Sequence, residues 1–161
     1  MPGAESRSKL FGDGFLYTKA GGTMRLSPEG IKQRLSDARS ATLGTTHGAG
    51  RPHLVPIVFA YREGLIYTAI DAKPKTTLRL RRIRNIESNP QVSVLVDHYE
   101  DDWDRLWWIR LDGVARIVID GPLRDTALEI LAEKYPVYAD QPPPGPAIAI
   151  TVERIRSWSA S

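Results

Sequence analysis

From Leu106 to Asp120 the sequence alternates with a period of two. Trp107, Ile109, Leu111, Gly113, Ala115, Ile117 and Ile119 fall on one face of an extended chain, and Trp108, Arg110, Asp112, Val114, Arg116 and Val118 on the other. This run predicts the longest strand of the molecule, with the first set turned to the core. The second face carries Trp108, Val114 and Val118 among its charges, more apolar surface than a solvated face requires, and predicts a partner subunit against it.

The remaining elements arrange themselves around that strand. Ser27 as N-cap, Pro28 in the first turn and Ile31, Leu35 and Ala38 at helical spacing predict a short amphipathic helix. Ala41 to Thr46, His53 to Tyr61 and Leu65 to Ile70 read as three strands of an antiparallel meander. The second of them is apolar at nearly every position, as a strand covered on both faces is. A basic helix ends before Asn89-Pro90, a strand follows over Gln91 to Asp97, and an acidic loop runs from Asp97 to Asp104 around Trp103. Pro122 opens a helix that Pro136 ends, and Ala147 to Ile155 is a closing strand after a proline-rich turn. About six strands and three helices without regular alternation predict a mainly β fold, a β-barrel with peripheral helices.

With 161 residues the chain has the length of one domain, expected over 24–161, with 1–23 as an arm lacking sustained periodicity. Zero cysteines exclude disulfides, thiolate metal sites and thiol nucleophiles, and His47, His53 and His98 are too few and scattered to predict a metal site. No apolar stretch approaches membrane-spanning length, so a cytoplasmic protein without a membrane partner is expected. The net charge of +3 is small for a nucleic-acid binder, and the acidic loop opposes a polyanion footprint. No Gly-x-Ser-x-Gly elbow supports hydrolase chemistry, and no Gly-x-Gly-x-x-Gly a Rossmann site.

The densest chemical signal is Lys73 to Arg84 (KPKTTLRLRRIR), which gathers six cations and no acid where a strand hands over to a helix. Lysine ammoniums, the Thr76 and Thr77 hydroxyls and the free N–H groups of a helix start can together hold a phosphate.

The turn Gly50-Arg51-Pro52, the strand HLVPIVF, the run LIYTAIDAKPKT and the segment NPQVSVLVD behind a basic helix together resemble the split β-barrel flavin and deazaflavin oxidoreductases related to pyridoxamine phosphate oxidase. The segment DDWDRLWWIRLDG resembles the deazaflavin-dependent (F420) branch. The resemblance covers roughly Arg25 to Trp158 and implies a split-barrel homodimer with two cofactors at the subunit interface. It implies that Lys73, Lys75 and Thr76 hold the cofactor phosphate, with Pro74 and Arg79 also among the cofactor-binding residues. His53, Val55, Pro56, Ile57, Tyr67, Thr68 and Ala69 would then lie along the cofactor, most of them beside its ring. The FMN oxidases of the family usually carry an arginine and a lysine where this chain has His53 and Val58, which favours coenzyme F420 over the alternative, FMN. Arg79, Arg82 and Arg84 offer a basic surface to the carboxylate tail of F420.

The reaction so implied moves a hydride from reduced cofactor to an unsaturated, conjugated small molecule, with the protein supplying orientation and a dry pocket. Any proton delivered to product would come from His53, Tyr67 or solvent. Trp103 is the candidate wall of the substrate space. The competing readings are an FMN-binding, pyridoxamine phosphate oxidase-like oxidoreductase and a non-catalytic F420 carrier.

Overall fold

The computed structural model describes residues 25–71 and 80–161. The arm expected over 1–23 and the phosphate-site candidates Lys73, Pro74, Lys75, Thr76 and Arg79 lie outside the described residues. In chain order the elements are α1 (Pro28–Asp37), β1 (Ala41–Thr46), β2 (Pro52–Ile57), β3 (Ala60–Arg62), β4 (Leu65–Ala69), α2 (Arg81–Ser88), β5 (Gln91–His98), a 3-10 turn (Trp103–Arg105), β6 (Trp107–Val118), α3 (Pro122–Lys134), the one-turn α4 (Val137–Asp140) and β7 (Ala147–Ser159).

The strands form one antiparallel sheet in the order β2-β1-β5-β6-β7-β4-β3. The edge strands β2 and β3 are separated in sequence by Val58 and Phe59 alone. The two ends of the sheet are therefore tied together, and it curls into a barrel with helices at its periphery. The meander expected over the first three strands is corrected here: His53 to Tyr61 is two strands on opposite edges, and β2 does not pair with β4. Phe59, at the break, is fully buried, and its backbone needs other partners once it leaves the ladder. The Tyr135 hydroxyl supplies them. It accepts from the Phe59 N–H (3.1 Å) and shares its single proton between the carbonyls of Phe59 and Arg39 (2.9 Å each).

β6 and β7 pair from Trp107 opposite Ser159 to Val118 opposite Ala147, with a bulge at Asp112/Gly113. β7 thus runs four residues beyond its expected end at Ile155. The interior face of β6 follows the alternation: Ile109, Leu111 and Ala115 are buried with Leu43, Ile66, Val94, Ile148 and Ile150. Ile83 and Ile86 of α2 close this core at one end, and Leu35 of α1 joins it. Two assignments on the alternating run change. Ile119 is 71% exposed because the strand stops at Val118. Val118, expected on the solvent or partner face, is buried because α3 folds back over it with Ala127, Ile130 and Leu131.

That second apolar cluster, which also takes Tyr67, Ala69, Ala147 and Ala149, covers one half of the barrel's outer surface. The half made by β2, β1 and β5 has no helix over its outward residues, among them Leu54 and Leu95. Local signals hold where expected. The Ser27 hydroxyl accepts from the Gly30 N–H at 3.0 Å to cap α1, and Glu63 and Gly64, both at positive φ, make the two-residue turn between β3 and β4.

Candidate cofactor-binding site

The site begins with the register of β2. The His47 N–H donates to the Arg51 carbonyl at 2.9 Å, closing the β1–β2 turn. Counting along the ladder, Thr45/His53, Leu43/Val55 and Ala41/Ile57 are then the hydrogen-bonded pairs. The intervening Pro52, Leu54 and Pro56 turn their backbone groups to the outer edge of β2, which pairs with no described strand. Proline is tolerated in a strand at such positions because it has no N–H to contribute. The open edge therefore offers one donor, the Leu54 N–H, and three carbonyl acceptors, beside a Leu54 side chain that is 68% exposed.

The other phase of β2 points inward. Ile57 is in the core, Val55 packs against it, and His53 is half-buried with its Nδ1 enclosed and without a hydrogen-bond partner. Of the three β2 residues expected beside a ring, Pro56 alone presents its side chain outward. On β4, Tyr67 and Ala69 pack beneath α3, with Tyr67 only 6% exposed, and Thr68 is buried. Their side chains are committed to the protein's own packing.

Register also places the two ends of the site. β1 pairs Gly44 with Ser93 and Thr42 with Leu95, so β5 starts beside His53 and ends beside Ile57. α2, which leads directly into β5, lies at the His53 end; the acidic loop with the exposed Trp103 lies at the Ile57 end. From His53 to Ile57 the strand rises about 13 Å at roughly 3.3 Å per residue. The structure thus separates His53 from Trp103 and strings Val55, Pro56 and Ile57 between them.

At the His53 end the basic helix contributes unequally. Arg81 and Arg84 are exposed. Arg82 is half-buried with its Nε enclosed and without a hydrogen-bond partner, and burial pulls its pKa down against the attraction of Asp71. Asn85, in phase with Ile83 and Ile86, is buried and donates to the Thr45 hydroxyl at 2.9 Å. Sequence reasoning missed this pair, although a lone asparagine in the apolar phase of a short helix was a legible signal. It also missed a network on the outer sheet face. There the Ser93 hydroxyl donates to Asp112 (2.7 Å), and Arg154 and Arg110 lie at 3.2 Å from the same carboxylate. Burial alone would raise the Asp112 pKa; the Ser93 hydroxyl and the two arginines outweigh it and hold it below the usual carboxylate range.

His98, in the acidic segment, pairs with Glu100 and stacks on Trp107. Among the described residues no group of three His, Asp or Glu side chains is placed to hold a metal, and no helix is long and apolar enough to cross a membrane.

A search of curated proteins gives no match to the chain. Solved structures are similar over most of its length. A conserved hypothetical protein of Mycobacterium tuberculosis is 25% identical with a TM-score of 0.69, over 89% of this chain and 91% of its own. The heme storage protein HutZ of Vibrio cholerae is 24% identical with a TM-score of 0.67, over 84% and 96%. A FAD-binding protein of Mesorhizobium loti is 23% identical with a TM-score of 0.64, over 84% and 96%. The pyridoxamine 5'-phosphate oxidase family matches residues 27–159, which takes in every described strand. With the antiparallel barrel closed through Val58-Phe59 and the open edge of β2 beside the basic helix, the chain belongs to the pyridoxamine 5'-phosphate oxidase family.

Proposed function

We propose that the chain is an F420-dependent oxidoreductase that reduces an unsaturated, conjugated small molecule, working as a homodimer. The observation that carries this reading is the open edge of β2. A planar ring whose polar rim alternates carbonyls and an N–H, as flavins and deazaflavins have, is complemented by the Leu54 N–H and the carbonyls of Pro52, Leu54 and Pro56. The basic helix α2 lies at the His53 end of the same strand, so the residues present fit an extended ligand with an anionic group. Lys73, Lys75 and Thr76 would hold its phosphate, with Pro74 and Arg79 beside it, and Pro56, whose side chain faces outward, would lie against the ring.

When bound, the cofactor supplies hydride chemistry; the protein binds, orients and excludes water. Trp103, at the ring end of β2, would wall the substrate space. With His53 at the opposite end of β2 from Trp103 and Tyr67 packed beneath α3, this reading leaves solvent as the source of any proton delivered to product. The absence of the arginine and lysine of the FMN oxidases at His53 and Val58 supports F420 over FMN. The uncovered outer face of β2, β1 and β5 supports a second copy of the chain as partner, with a cofactor in each groove at the interface.

Titration of the purified protein with F420 and with FMN tests the reading. F420 should bind and Lys75→Ala should weaken it at least about tenfold, a difference of roughly 1.4 kcal/mol. Copurified FMN, or equal F420 affinity in the variant, overturns it. Stopped-flow oxidation of the bound reduced cofactor by enones and quinones separates enzyme from carrier, and inertness across the panel would favour the carrier.

A further inference from the structure

At one end of the barrel the strand register sets three residues side by side. His98 of β5 is opposite Trp107 of β6, and Trp107 is opposite Ser159 of β7. The His98 ring stacks on the Trp107 indole within 18° of parallel, at 6.1 Å between centroids. α1 reaches this end with Ile31, Leu35 and Ala38 packed on the core. Arg34 lies on the same helical face, beside the fully buried Leu35 and a turn from Ile31 and Ala38. A guanidinium in the apolar phase of a short helix is unusual. A cavity of about 410 Å³ opens beside it, lined by Arg34, His98, Arg105, Trp107, Ser159 and Ser161. Small-molecule sites span roughly 300–1,000 Å³, and no acidic side chain lines this one.

The cations of the cavity are unequally committed. Arg105 pairs with Glu100 at 3.0 Å, and His98 pairs with the same carboxylate. Arg34 has no ion-pair partner among the described residues. Its Nη1 reaches only the Gly30 carbonyl, at a long 3.5 Å, and its Nε is enclosed without a partner. What holds the group is the Trp107 ring, whose centroid is 5.3 Å from the guanidinium carbon. A guanidinium fixed against an indole keeps its fork of N–H donors set for a planar carboxylate. The indole and imidazole beside it offer flat surface to a ring that bears that carboxylate. One guanidinium is left over, and the exposed side chains of Asp101, Asp102 and Asp104 in the flanking loop oppose a second negative charge.

We propose that this cavity binds a small aromatic monocarboxylate, paired to Arg34 and packed along Trp107 and His98. In the sheet, β1 separates β2 from the strands that build the cavity. The site uses no residue assigned to the cofactor and stands whether or not the chain binds F420.

Isothermal titration of the full chain with 2-naphthoate, and with its saturated analogue decahydro-2-naphthoate, tests it at fixed ionic strength. The wild type should bind 2-naphthoate saturably and at least about threefold tighter than the analogue, which has the charge without the flat ring. Arg34→Gln, with its fold checked by thermal melting, should weaken 2-naphthoate at least about tenfold. Arg34→Lys keeps the charge and loses the fork; it should weaken binding too, and it decides the matter if the glutamine variant does not fold. Lys75→Ala should leave binding intact. No saturable binding by the wild type, undiminished binding by either folded Arg34 variant, or equal affinity for the two acids overturns the site. Binding lost in Lys75→Ala, or displaced by saturating F420, also overturns it, by moving the acid to the cofactor groove. Failure of F420 itself to bind sinks the cofactor reading and leaves this site untouched.

Discussion

A Cβ built on Gly113 would meet the Thr151 carbonyl oxygen at 2.2 Å, and the obstacle is backbone on the neighbouring strand. Gly113 sits where the β6–β7 register slips, so the bulge exists only as long as the residue has no side chain. Gly113→Ala should therefore destabilise by about 3 kcal/mol, the upper end for overpacking, seen as a lower urea midpoint at unchanged slope. Two titrating groups give a second residue-level expectation. Burial, helped by Arg39, pushes the Lys134 ammonium down to about 8, while its Nζ donates to the Leu35 carbonyl. Burial and the hydrogen bond to Asp71 push the Tyr138 hydroxyl up to about 12. Between pH 8 and 10.5 the unfolded chain holds the lysine proton that the native state has released, so stability rises with pH. Between pH 10 and 12 the native state keeps the tyrosine proton that the unfolded chain loses, so stability falls. Melting temperatures across this range should pass through a maximum near pH 10; Lys134→Met should flatten the rise and Tyr138→Phe part of the fall.

At the scale of elements, the break between β2 and β3 decides the topology, and one hydroxyl from the end of α3 holds it. Tyr135→Phe leaves the buried Phe59 N–H and carbonyl without partners at about 1–3 kcal/mol each. The expected loss is about 3 kcal/mol, with faster hydrogen exchange at the Phe59 amide than at the core amides of β6. This break was not legible in the sequence, because HLVPIVFAY is apolar at nearly every position and nothing in its composition marks Val58-Phe59 as a corner. The β1 bounds, the Ser27 cap, the α3 start and the interior face of β6 were legible, since each rests on a local signal that tertiary packing does not oppose. Ile119 and Val118 were misassigned for one reason: the alternation continues past the strand end, and the turn into α3 exchanges which face is covered. The same division runs through the site. The basic run was visible as composition, whereas the open β2 edge depends on which pairs in the ladder exchange hydrogen bonds, and the Asn85–Thr45 pair depends on a contact between elements 40 residues apart.

For the whole molecule, the unequal cover on the barrel's two outer halves has a consequence for assembly. α3 and α4 shield the half formed by β4 and β7, whereas across β2, β1 and β5 the outward rows run Pro56–Thr42–Leu95 and Leu54–Gly44–Ser93 with no helix over them. Leu95 is 37% exposed at the middle of this face and reaches Arg110 in the next strand. A second copy laid on this surface would bury the apolar rows and set two open β2 edges into grooves between subunits, where a ring could be enclosed from both sides. Sedimentation should then give about twice the 18.0 kDa chain mass. Leu95→Glu, which opposes two carboxylates across a twofold interface, should return the mass of one chain and weaken F420 binding, with the thermal transition of the barrel retained. A wild-type protein that sediments at the mass of one chain, and binds F420 with an affinity independent of protein concentration, would place the whole cofactor site within a single barrel and leave the bare face without a role in the reaction.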